Sequence, residues 1–89
     1  MARRRAARTP LTEMLREVRL RRGLAQQVVA DMVGMRRQTY QDYERGVWLP
    51  PPGLVEEVAG ILRTDPAPLL RLWLRARVGD HLADLILGG

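Results

Sequence analysis

Three glycines divide the first half of the chain. Gly23, Gly34 and Gly46 stand 11 and 12 residues apart, and the segments between them carry apolar residues at helical rather than strand spacing. Segments this short cannot make long helices, and Gly34 supplies the positive φ that a tight turn between two of them needs. The first half must therefore fold as short helices joined by tight turns. Thr9-Pro10 opens the first, with Thr as N-cap and Pro at the first helical position. Leu11, Met14, Leu15 and Val18 follow on one face, and the helix closes at Arg22-Gly23, giving a range of about 10–22. Leu24 is expected to be buried in the loop. A second helix runs over 26–33 and a third over 36–44.

The second half begins with a stiff connector, VWLPPPG at 47–53, because consecutive prolines cannot continue a helix. A fourth helix is expected at about 53–63, with Leu54, Val55, Val58, Ile61 and Leu62 apolar. Thr64-Asp65-Pro66 starts a fifth, reaching about residue 77, and the pattern continues weakly past Gly79 to Leu87. No strand alternation and no internal repeat occur. The fold class is all-α, with five helices and an extra C-terminal helical segment. Three parts follow: a flexible basic arm at 1–9, a helical domain at 10–77, and a C-terminal extension at 78–89.

With 89 residues and 46% hydrophobic content, one small core can form without disulfides, which the absence of cysteine rules out. Serine is absent as well, and His81 is the one histidine, so Ser and Cys nucleophiles are excluded and a metal site is poorly supplied. The chain is not expected to be an enzyme, and no cofactor is implied. His81 is read as an ordinary surface residue. Net charge is +5, carried unevenly: residues 1–22 hold eight Arg against two Glu. A basic end of this kind favours nucleic acid or an anionic membrane surface. Residues 6–20 contain no apolar run of a signal peptide, and no window approaches a membrane span. The expected location is cytoplasmic, at the nucleoid.

The segment from Gln26 to Tyr43 has the arrangement of a DNA-binding helix-turn-helix, two short helices joined by a turn containing Gly34. Ala30 is small enough for the next helix to cross close above it. Val29, Val33, Met35, Tyr40 and Tyr43 are expected to face inward. Arg36, Arg37, Gln38, Gln41 and Asp42 are expected to face outward, with side chains suited to base edges and phosphates.

These residues, with their flanks, resemble the Cro/CI-type helix-turn-helix, or xenobiotic-response-element, family. The resemblance rests on Leu15, Arg19, Gly23-Leu24, Gln26, Val29-Ala30, Gly34-Met35, Glu44-x-Gly46 and Pro50, and covers about residues 11–70. It implies a five-helix repressor-like domain whose third helix enters the major groove of double-stranded DNA. Arg37, Gln38 and Gln41 would then read bases. Asp42 has two readings, an acceptor for cytosine N4 or a structural carboxylate. Gln26, Arg36 and Arg45 would contact phosphates. Arg3, Arg4 and Arg5 would either follow the DNA as an arm or form a solubilising tail. By analogy, Arg19 and Glu44 would form a partly buried structural ion pair. Three positions depart from the family pattern: Ala25 and Arg36 replace side chains that cap helices, and Tyr40 replaces a β-branched aliphatic.

The C-terminal stretch PLLRLWLRARVGDHLADLIL is unusually apolar. Leu70, Trp73 and Leu74 fit one helix face, with Leu69 and Leu72 off it. Leu82, Leu85 and Ile86 make a further patch, which either folds back on its own domain or serves self-association. The expected function is a bacterial or phage-like transcriptional regulator, a repressor acting as a homodimer. The alternative is a protein-interaction module of the same fold, such as an antitoxin or co-regulator, using the proline connector and the C-terminal helix to bind a protein partner.

Overall fold

The computed structural model describes residues 8–88, so Arg3, Arg4 and Arg5 lie outside the described residues. Six helices follow in order: α1 (Pro10–Arg21), α2 (Gln26–Met32), α3 (Arg37–Glu44), α4 (Pro52–Ile61), α5 (Pro66–Val78) and α6 (Asp80–Leu87). Among the described residues there is no strand.

Local chemistry sets the boundaries. Thr9 and Thr12 cap α1 reciprocally: the Thr9 hydroxyl accepts from Thr12 N at 3.2 Å, and the Thr12 hydroxyl accepts from Thr9 N at 2.9 Å. Asp65 caps α5 by accepting from Ala67 N at 3.0 Å. α2 and α3 begin at Ala25 and Arg36 with no side-chain cap, as their sequences anticipate. The turn between them is a Schellman closure. Gly34 has φ 72°, and Met35 N donates back to Ala30 O at 2.9 Å. α4 ends with the same back-donation, Thr64 N to Ala59 O, although Arg63 occupies the left-handed position at φ 52°.

The core joins Leu11, Leu15 and Val18 of α1, Val29 and Ala30 of α2, Tyr40 of α3, Val55, Val58 and Ala59 of α4 with Leu62 just beyond it, and Leu69 of α5. Ala30 is fully buried, as the close crossing of α2 and α3 requires. Leu24, Val33 and Met35 are partly buried against this cluster.

Two packing expectations need correction. Leu69, placed off the apolar face of α5, is 1% exposed and belongs to the core, and Leu72 packs against it. The reason is that α5 touches α1, α4 and α6, so its buried surface is wider than one helical stripe. Tyr43 is half-buried and lies outside the core cluster, whereas Tyr40 is 1% exposed and belongs to it.

The proline connector is fixed rather than free. Pro50 is buried, Leu49 packs against the core, and the Trp73 indole N–H donates to Pro50 O at 2.7 Å. α6 folds back on α5. Its one buried residue is Ala83, and Arg75 reaches Asp84 at 2.7 Å. Leu82, Leu85 and Ile86 are 51–67% exposed.

Candidate nucleic-acid interface

α3 is held from below by one ion pair. The Arg19 guanidinium meets Glu44 side-on, with Nε donating to Oε2 at 2.8 Å and Nη2 to Oε1 at 2.7 Å. A third donor, Nη1, goes to Leu24 O at 2.8 Å. The two side chains are 8% and 2% exposed. This pairing connects the end of α1, the loop after it and the last turn of α3. It keeps the guanidinium charged, because the Glu44 hydrogen bond and charge outweigh the cost of burial.

Tyr40 lies beside the pair, and its hydroxyl is buried with no hydrogen-bond partner among the described residues. Burial raises its pKa above the ordinary value of 10.0, and the Glu44 carboxylate raises it further, against a smaller opposing effect from Arg19.

The sequence-derived site residues fall into three groups. Arg36, Arg37 and Gln38 are exposed on the outer side of α3 and its N-cap, and Arg45 is exposed at its C-cap. Among the described residues, none of these three arginines pairs with a carboxylate, so a band of uncompensated positive charge borders the helix. Gln26 and Gln41 are half-buried. Both line a groove of about 650 Å³ between α1 and the α2–α3 unit, together with Arg8, Arg16, Glu44 and Arg45. Gln26 Nε2 donates to Glu44 Oε1 at 3.3 Å, so one of its amide hydrogens serves the structure.

Asp42 is the third case, and a correction. Expected on the outward face, it is 7% exposed, and its Oδ1 accepts from Gln38 Nε2 at 3.0 Å. The physical reason is the helix repeat. Residues four apart are neighbours, so the Gln38 amide reaches the carboxylate one turn on. The carboxylate is thus engaged within α3 rather than turned freely outward. Sequence reasoning also passed over two residues. Thr39 is exposed beside Gln38, and Arg16 is an exposed cation one turn before Arg19.

Two short helices cross at a buried alanine, turn at Gly34, and carry the second helix outward on a buried Arg–Glu pair. Over residues 10–72 the sequence matches the family described as helix-turn-helix domain. The chain belongs to that family. No curated protein matches it. The helix-turn-helix match spans α1 to the middle of α5 and stops short of α6. It is consistent with a Cro/CI-type DNA-binding protein and points to a DNA-binding regulator. Among the described residues no helix is long and apolar enough to cross a membrane, and no cluster of metal-ligating side chains occurs.

Proposed function

We propose that the protein is a sequence-specific transcriptional regulator of bacterial or phage type, a repressor that reads the major groove with α3. The carrying observation is the exposed row Arg37, Gln38 and Thr39, bordered by the unpaired cations Arg36 and Arg45, on a helix whose base is fixed by Arg19–Glu44. Arg37 suits guanine O6 and N7, and Gln38 suits adenine N6 and N7. Gln41, half-buried, would reach only the edge of the groove. Arg36 and Arg45 would hold phosphates, joined by Gln26 through its second amide hydrogen and by Arg16. Such contacts orient the protein without reading sequence. The basic arm at 1–9 would add attraction to the duplex, residues 10–77 would form the DNA-binding domain in the Cro/CI arrangement, and 78–89 the dimerisation segment. The protein would act in the cytoplasm, at the nucleoid, by binding alone and without a cofactor.

Dimerisation is supported by α6. Leu82, Leu85 and Ile86 occupy i, i+3 and i+4 of a helix whose inner side is satisfied by Ala83. A two-fold dimer would present two recognition helices to half-sites about 34 Å apart. The same face keeps a second reading alive, an antitoxin-like or co-regulator module that binds a protein partner. In that reading the proline connector would offer Pro51 and Pro52, which are exposed, while Pro50 and Leu49 are engaged in packing.

Selection of bound duplexes from random DNA tests the proposal. A palindromic enriched site is expected. No enrichment above input would remove DNA reading and leave the interaction module. Roles within the interface separate by substitution. Gln38→Ala should relax preference at one base pair. Arg36→Ala should weaken binding to all duplexes alike and reduce the salt slope by about 1. Equal loss on selected and random duplexes for both variants would sink the division of roles.

A further inference from the structure

We infer that Asp42 is a positioning residue that fixes the orientation of the Gln38 amide, and through it the base that Gln38 accepts. The inference rests on the proposed reading of DNA by α3. An ionised carboxylate only accepts hydrogen bonds, so the Gln38 amide must turn its nitrogen, not its oxygen, toward Asp42. The 3.0 Å contact from Nε2 to Oδ1 has that sense. Asp42 is held in place, being 7% exposed and in the last turn of a helix locked by Glu44 two residues on.

The hydrogen-bond count then decides specificity. A glutamine amide carries two N–H donors and one acceptor oxygen. With one N–H given to Asp42, Gln38 can present one donor and one acceptor outward. Adenine offers the complement in the major groove, the N7 acceptor and the N6 donor. Guanine offers two acceptors, N7 and O6, and would need both N–H groups or leave Oε1 facing O6. Asp42 thus favours adenine over guanine without touching either. A residue of this kind is invisible to a census of contacts with DNA.

The test is a quantitative binding selection with the full chain, comparing wild type, Gln38→Ala, Asp42→Asn, Asp42→Ala and the Gln38→Ala/Asp42→Asn pair. Asparagine keeps the size of Asp42 but can donate as well as accept, so it releases Gln38 to either orientation. Wild type should favour adenine over guanine at one base pair by about 5- to 150-fold, the range that a bidentate base contact discriminates. Asp42→Asn and Asp42→Ala should shrink that ratio toward the Gln38→Ala value, and the double variant should shrink it no further. Loss of a negative charge should strengthen binding to random duplexes, so the effect cannot be confused with unfolding. Thermal melting of Asp42→Asn checks that the fold persists, and Asp42→Ala supplies the second measurement if it does not. An unchanged adenine ratio in both Asp42 variants overturns the inference while leaving DNA reading intact. A change at a different base pair also overturns it, because Asp42 would then read a base itself. No enrichment by wild type removes the underlying reading, and the inference with it.

Discussion

At the scale of single residues, the structure separates charges that hold the fold from charges that face outward. Arg19 and Glu44 are buried, so removing one strands the other away from water. Glu44→Ala should cost about 3–5 kcal/mol. For a domain of this size that lowers Tm by about 12 °C or more; a shift of a degree or two would show that the pair adds nothing. Arg21–Glu17, by contrast, is an exposed pair at 3.0 Å, and breaking it should leave Tm nearly unchanged. Tyr40 gives a pH prediction with a definite sign. An unfolded chain releases its phenol proton near pH 10, whereas burial makes the folded chain hold it. Stability from this group is therefore full below pH 10 and falls as pH rises above it. Tyr40→Phe should remove that alkaline loss. It also deletes a buried hydroxyl without a partner, so at pH 7 it should be neutral or stabilising by about 1–3 kcal/mol. Melting at pH 7 and at pH 11 checks both; a destabilised variant at pH 7 would mean that the hydroxyl is satisfied in solution.

At the scale of elements, punctuation in the chain carried most of the information. Thr9-Pro10, Gly34, Gly46 and Asp65-Pro66 locate the ends of α1, α2, α3 and α5 to within two residues, because caps and turns depend on backbone chemistry that is local in sequence. Side-chain direction was less legible where packing has more than two sides. Leu69 looked misplaced until α5 was seen between α1, α4 and α6. Asp42 looked outward because periodicity knows nothing of the hydrogen bond that it accepts from Gln38. Arg22 read only as a cation closing α1, with no sign of its long-range role. It donates to Leu62 O and Arg63 O, each at 2.7 Å, satisfying carbonyls at the end of α4 from 40 residues away. The uncapped start of α2 gives the prediction at this scale. Ala25 has φ −77° and ψ 154°, the extended geometry of an N-cap. Ala25→Ser should therefore add about 1 kcal/mol, seen as a rise of about 4–8 °C in Tm. No rise would mean that the loop after α1 cannot present the hydroxyl to the first turn.

At the scale of the whole molecule, two halves behave differently. α1 to α5 share one core, whereas α6 hangs from α5 through Ala83 and the ion pairs of Arg75, one of them with the 85%-exposed Asp80. If α6 is the dimer contact, Leu85→Arg should yield a 10 kDa species by sedimentation without changing the helical content of the monomer. It should also weaken binding to a palindromic site far more than to a half-site. An unaffected sedimentation coefficient would return α6 to a merely intramolecular role. The lone seam at Gly79 has a kinetic corollary. Backbone amides of α6 should exchange with deuterium ahead of those in α1 to α5, through a local opening that leaves the rest of the domain closed. Association would slow that exchange, so protection of α6 should fade on dilution while the core amides keep theirs. The last helix would then report how much protein is present.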